Sequence, residues 1–263
     1  MEIINLTEEN EELYFVCLED WSDEMREAGS HKREWYRRMK DRGLRVKLAR
    51  DDAGNIGGMI QYLPVERSWI EGEGIYFILC IWVHGYKEGR GNFRKKGMGR
   101  ALLEAAELDA RKLGAKGIAA WGISMPFWMK ASYFKKHGYR KVDKERGLVL
   151  LLKPFSEDVA PPRWIRPRKK PQAMEGKVKV TAFLNGWCPA GNLAFERAKR
   201  ASRELGEGVV FEVIDTSDTA TFREWGIPSG LYIDGREVRT GPPPSYEKIY
   251  GKIRTKLKKA GRG

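Results

Sequence analysis

Three cysteines in 263 residues, Cys17, Cys80 and Cys188, lie far apart and are odd in number. That excludes a disulfide-stapled fold and points to a reducing compartment. Histidine is as scarce: His31, His84 and His137 are the whole set, and none has zinc-site spacing with a cysteine. No metal is expected. No apolar run approaches the ~20 residues of a membrane-spanning helix. The first residues, Met1-Glu2-Ile3-Ile4-Asn5, lack the basic-then-apolar order of a signal peptide. No membrane partner is expected, and the cytoplasm is the expected location.

What is present is a sizeable apolar fraction, 41%, enough for real cores. The net charge is +13. It is spread as +5 over residues 1–153, +3 over 154–174 and +5 over 175–263, so no single basic arm carries it. Such a balance suits nucleic acid, solubility, or attraction of a phosphorylated cofactor. No nucleic-acid-binding motif accompanies it, so the last two are preferred and a nucleic-acid partner is unlooked-for.

Residues 154–174 hold five prolines and five basic residues. A stiff, extended linker over 154–176 is the expectation, separating a domain over 1–153 from one over 177–263. Trp164 and Ile165 are candidates to pack back on a domain. In the first domain, helices are expected over 8–20, capped by Thr7, and over 31–42, ended by Gly43. A hairpin turning at 51–55 follows, then an uncharged strand over 76–83 that should be buried on both faces. A helix over 100–113, a strand over 117–123, a helix over 126–136 and a strand over 147–153 complete it.

Between the long strand and the helix stands Arg94-Lys95-Lys96-Gly97-Met98-Gly99. A basic glycine loop opening a helix is an anion site, because free amides and the helix dipole converge where glycine lets the backbone come close. In this context the loop resembles the Arg/Gln-x-x-Gly-x-Gly/Ala motif of the GNAT N-acetyltransferase superfamily. Tyr133-Phe134-Lys135-Lys136-His137-Gly138-Tyr139 is similar to that family's aromatic segment. The resemblance implies a mixed α/β sheet flanked by helices, with acetyl-CoA held where two parallel strands part. It implies that Arg94, Lys95, Lys96, Gly97, Met98, Gly99 and Arg100 cradle the pyrophosphate. Trp82 and Val83 would pair with the pantetheine arm and supply an oxyanion N–H.

The family's usual acid is a tyrosine at the position of Phe134. Tyr133 is adjacent, but one residue turns a helix by about 100°, so core packing is its preferred reading; water or Ser132 are alternative donors. His84, at the strand's end, is either the base or a loop histidine. His31 and His137 are expected at the surface. Residues 84–93 form either a mobile rim or a tolerated insertion. Phe127, Trp121 and Trp128 line an acceptor pocket or fill core. The acceptor implied is a small-molecule or protein amine.

Beyond the linker, a strand, Trp187-Cys188-Pro189 and a helix, then Ile227-Pro228-Ser229 before a hairpin, resemble a thioredoxin-like fold with a cis bond at Pro228. Gly191 stands where a second cysteine would complete Cys-x-x-Cys, so an intramolecular dithiol is excluded. Cys188, at a helix N-terminus, is either a reactive thiol or the relic of one. The pairing resembles acetyltransferases with a YoaP-like C-terminal domain. Two other functions stay open: a thiol-linked sensor using Cys188 with CoA as regulator, and a non-catalytic CoA-binding adaptor.

Overall fold

In the computed structural model, which describes residues 1–124, 128–238 and 243–260, the chain folds as two compact units. One comprises Met1–Trp21 and Arg38–Ile165, the other Ser22–Arg37 and Arg166–Gly263. This departs from the expected boundaries twice. Residues 22–37 belong with the second unit, and residues 154–165 belong with the first.

The first unit opens with β1 (Glu2–Asn5) and α1 (Glu11–Phe15). The helix expected over 8–20 stops early, since Cys17 and Leu18 adopt positive φ and turn the chain so that Leu18 is buried. Thr7 does not cap the backbone; its hydroxyl accepts from the Asn10 amide at 3.0 Å instead. The chain then passes through α2 (Asp23–Glu27) and α3 (His31–Met39), which lie in the second unit up to Arg37, and returns to the first through a tight turn that Gly43 closes at φ +91°. Then follow β2 (Arg45–Arg50), β3 (Ile56–Pro64), β4 (Ile70–Glu71), β5 (Ile75–Val83) and α4 (Met98–Lys112). β6 (Gly117–Ile123), α5 (Ala131–Lys136), β7 (Arg140–Glu145), β8 (Leu148–Pro154) and β9 (Arg163–Trp164) complete it. Residues 125–127, where the α5 helix was expected to start, lie outside the described residues.

The main sheet runs β1-β2-β3-β5-β6-β8-β7. Every pair is antiparallel except β5–β6. β5 is uncharged because it is central: Phe77, Ile78 and Leu79 are fully buried. α4 presents Leu102, Leu103, Ala106 and Ala110 to the sheet at helical spacing, all fully buried. The expected linker begins as structure, not spacer. Arg163–Trp164 pairs antiparallel with Ile70–Glu71, the Trp164 backbone N–H donates to Asp143 at 3.0 Å, and the Trp164 indole is buried. Burying that indole outweighs the extended bias of the prolines around it.

A charged knot ties α4 to the sheet. Asp109 accepts from Arg45 at 2.9 and 3.1 Å, from Lys47 at 3.1 Å and from the Tyr62 hydroxyl at 2.6 Å. Burial raises its pKa, but the bonds from Arg45, Tyr62 and Lys47 more than offset that and hold it at about 2, against an ordinary 3.8. The stabilisation is therefore complete above about pH 4 and is lost as pH falls toward 2. Asp109→Asn is expected to cost about 2 kcal/mol at pH 7 and much less near pH 2, read by urea unfolding at both pH values.

In the second unit, β10 (Val178–Leu184), α6 (Pro189–Leu205), β11 (Val209–Asp215), α7 (Thr219–Trp225), β12 (Gly230–Ile233), β13 (Arg236–Glu237) and α8 (Tyr246–Ala260) follow. The sheet order is β11-β10-β12-β13. β10 is parallel to β11 and antiparallel to β12, and β12–β13 is a hairpin. Asp234 and Gly235 both take positive φ at its turn, as a two-residue type I′ connection requires. Residues 22–37 are held in this unit by charge. Arg197 on α6 donates to Glu27 at 2.9 and 3.1 Å and to Glu24 at 2.9 Å. These i, i+3 acids of α2 are unremarkable in sequence, which is why the chain division was not legible there.

Candidate active site

β5 and β6 pair only from Ile75↔Gly117 to Ile78↔Ala120. At that point the register of β5 on β3 shifts, with Tyr62 opposite Ile78 but Gln61 opposite Cys80, which leaves Leu79 as an extra residue. A bulge bends and twists its strand. β6 meanwhile stays on β8 out to Ile123↔Leu148. The two parallel strands therefore part, and the β6-facing edge of residues 80–83 has no strand partner among the described residues. The carbonyl of Leu79, released by the bulge, accepts from the Trp121 indole at 2.9 Å. That bond commits Trp121 to the point of the fork; Trp128 meets it edge-on at 5.3 Å between centroids. Phe127 lies outside the described residues.

The glycine loop lies at the mouth of this fork. Gly97 is the N-cap of α4 at φ +83°. The helical ladder begins with the Ala101 N–H on the Gly97 carbonyl at 3.1 Å. The amides of Met98, Gly99 and Arg100 precede it and have no intrahelical acceptor to reach. The two glycines serve different needs. A Cβ on Gly97 would meet nothing nearer than Met1 at 3.9 Å, so that position needs glycine for its backbone angle. A Cβ on Gly99 would lie 3.3 Å from the Tyr133 hydroxyl and 3.8 Å from Val83, so that position needs glycine for space. Lys95, itself at φ +62°, and Lys96 are exposed. Met98 is buried and offers only its amide, and Arg100 is partly neutralised by Glu104 at 2.8 Å. The Arg94 amide donates to Asn92 at 2.9 Å, and the Arg94 side chain lies over Gly85, where a Cβ would meet the guanidinium.

Tyr133 is the main revision. Phe134, at the usual tyrosine position, is fully buried and packs against Tyr139 at 5.4 Å. The 100° step that takes Phe134 into the core brings the Tyr133 hydroxyl to Gly99, in the first turn of α4. Its oxygen is buried and has no hydrogen-bond partner among the described residues. Burial, then the nearby charges of Glu107 and Glu104, push its pKa up to about 12. Two contacts position this helix. Gly122 leaves room for the backbone of Ala131, which a Cβ would meet at 2.6 Å, and the Ile123 N–H donates to Met129 at 2.7 Å. His137, expected at the surface, packs its ring on Tyr133 at 4.6 Å and donates to the Tyr133 carbonyl at 2.9 Å. The Trp82 indole N–H is likewise buried without a partner among the described residues, beside Tyr86.

His84 has no nitrogen open for a base. It is fully buried, and its Nε2 accepts from the Trp21 indole at 3.1 Å. Nδ1 then carries the proton and donates to Gly91 at 2.7 Å. The neighbouring segment is pinned: Phe93 N–H donates to His84 O at 2.9 Å, and Arg90 donates to Ile56 O at 3.0 Å. Residues 84–93 are therefore an anchored loop, and the polar ring that looked chemical in sequence is its clasp.

In the second unit, Cys188 is half-buried at the N-cap of α6, and its carbonyl accepts the Asn192 N–H at 3.1 Å. None of the three cysteines is in a disulfide. The Ile227–Pro228 bond is trans, against the expected cis form. His31 is tied to Glu196 at 2.6 Å.

A strand fork beside the first amides of a helix, with a buried phenol next to them, is what the α/β scaffold of the first unit brings together. Residues 4–139 match the Acetyltransferase (GNAT) family, and the chain belongs to that family. It is 23% identical over 243 residues to the uncharacterized N-acetyltransferase YoaP of Bacillus subtilis, covering 89% of this chain and 92% of that protein. Among solved structures it is similar to the GNAT N-acetyltransferase YhbS of Escherichia coli in complex with CoA. That match has 11% identity, 60% coverage of this chain and 82% of that one, and a TM-score of 0.43. It is also similar to a ribosomal-protein-alanine N-acetyltransferase of Brucella melitensis, at 16% identity, 59% and 100% coverage, and a TM-score of 0.44. Among the described residues no helix is long and apolar enough to cross a membrane.

Proposed function

We propose that the first unit transfers an acetyl group from acetyl-CoA to a primary amine, with Tyr133 as the proton donor. The observation that carries this is the fork: an unpaired β5 edge directed past Tyr133 toward the cradle. The cofactor fits what is present, because a side chain at position 99 would fill the space a phosphate or pantetheine needs. The amides of Met98, Gly99 and Arg100 hold the pyrophosphate, with Arg94, Lys95 and Lys96 adding charge. The edge at Trp82 and Val83 takes the pantetheine amides and directs an N–H at the acyl oxygen. When bound, acetyl-CoA supplies the activated acetyl thioester. Tyr133, kept protonated by burial, holds its proton beside Gly99 and would give it to the departing thiolate sulfur. His84 serves as the anchor of the adjoining loop; an acceptor that arrives neutral needs no base before attack, and the proton its nitrogen sheds on forming the amide would pass through water to restore the Tyr133 phenol. A turnover screen of amines and amine-bearing peptides, read as thiol release from acetyl-CoA, tests the reading. No release above hydrolysis with any amine would reject it in favour of the adaptor.

The second unit is proposed to be a thioredoxin-like accessory domain. What supports this is a parallel β-α-β followed by an antiparallel hairpin, with Cys188 on the first helix. No second thiol stands beside Cys188, and Gly191 faces open space. Cys188→Ser is therefore expected to leave acetyl transfer within about twofold of wild type. A tenfold loss would support the thiol-linked alternative.

A further inference from the structure

The C-terminal helix carries charge that the acetyl-transfer site does not use. α8 buries Ile249 and Ile253 against the second unit's sheet, which fixes its orientation. Lys248, Lys252, Lys256 and Lys259 then recur at close to one-turn intervals on one wall of an open groove. The β12–β13 hairpin forms the other wall and adds Arg236; the cavity measures about 540 Å³. Glu237 and Glu247 also line it, and Lys256 is paired with Asp234 at 3.4 Å. Among the described residues, the side chains of Arg236, Lys248, Lys252 and Lys259 have no acidic partner within ion-pair distance. Some other cations of this unit are paired, such as Arg197 with Glu24 and Glu27, Arg200 with Glu27, and Lys179 with Glu212.

Four unpaired cations along roughly 16 Å of helix and its facing hairpin repel one another. A ligand with anions repeating at a few ångströms relieves that repulsion at several points at once. A compact anion would satisfy one or two. We propose that this groove binds the phosphate backbone of single-stranded nucleic acid. A single strand lies along a groove between a helix and a hairpin, whereas a duplex presents its phosphates on a wider surface. No aromatic ring lines the groove, so base stacking is absent and binding is sequence-independent. The inference does not rest on the acetyl-transfer reading. It revises the expectation from composition, where the basic excess was assigned to solubility and cofactor attraction for want of a motif: the signal is a spatial stripe.

The test is fluorescence anisotropy of labelled oligothymidine and oligouridine with the full chain, titrated with salt. Four phosphate contacts on a single strand give a log–log slope of about −3, so affinity falls about 50-fold between 50 and 200 mM salt. The triple variant Lys248→Gln, Lys252→Gln, Lys259→Gln should weaken binding more than tenfold at low salt and bring the slope to about −1. These side chains are exposed, and an unchanged far-UV spectrum and Tm verify the fold. A second variant, Arg236→Gln alone, should reduce the slope by about 0.7. The proposal is overturned if the triple variant binds as wild type does. It is also overturned if duplex binds more tightly than single strand, or if anionic phospholipid vesicles bind while oligonucleotides do not.

Discussion

Gly97→Glu is expected to lower acetyl-CoA affinity at least 100-fold while leaving the chain folded. The position is exposed and sits at φ +83° with open space around its missing side chain. Two effects add. Any L-residue there pays for left-handed backbone, on the order of 1–2 kcal/mol, and can relax by moving the amides of the first helical turn. A carboxylate at this N-cap also occupies the positive end of the α4 dipole, where the pyrophosphate is to bind, and repels it. Gly97→Asn separates the two effects, since asparagine tolerates positive φ and carries no charge; it should lose less than tenfold. Isothermal titration with CoA reads both variants. Wild-type affinity in Gly97→Glu would place the cofactor elsewhere and remove the basis for the site.

Tyr133→Phe should separate activity from stability. The hydroxyl is buried without a partner among the described residues. Removing an unsatisfied buried polar group costs nothing and can stabilise, so the Tm should hold or rise. If the phenol is the proton donor, kcat should fall about 100-fold, with KM for acetyl-CoA changed less than about threefold. A phenol held up to about 12 stays protonated across the neutral range. The wild-type rate should therefore show no alkaline loss from this group below about pH 11. Equal kcat in the variant would assign proton delivery to water. A fall in Tm with unchanged kcat would return Tyr133 to a packing role.

Much of the first unit was legible from local pattern. The uncharged run in β5, the period of α4 and the glycine loop between them are short-range features, and their order pointed to the family. The α3 stop at Gly43 and the Asp234-Gly235 hairpin followed from backbone preferences of single residues. What local pattern left undecided was which face a residue takes. Which of the two adjacent rings, Tyr133 or Phe134, enters the core depends on how α5 lies over Gly122. His84 looked like a base because imidazole is versatile; Trp21, distant in sequence, takes its free nitrogen.

By itself the sequence determined most of the elements, the glycine loop that opens α4 and the presence of two parts, because these depend on neighbours within a turn or a strand. Only the tertiary structure decided where β5 and β6 part, which phenol meets the cradle, and that residues 22–37 belong with the C-terminal sheet. Each of those rests on a contact between residues far apart in the chain, where a bulge, a glycine's missing Cβ or a pair of carboxylates has meaning only through what lies opposite.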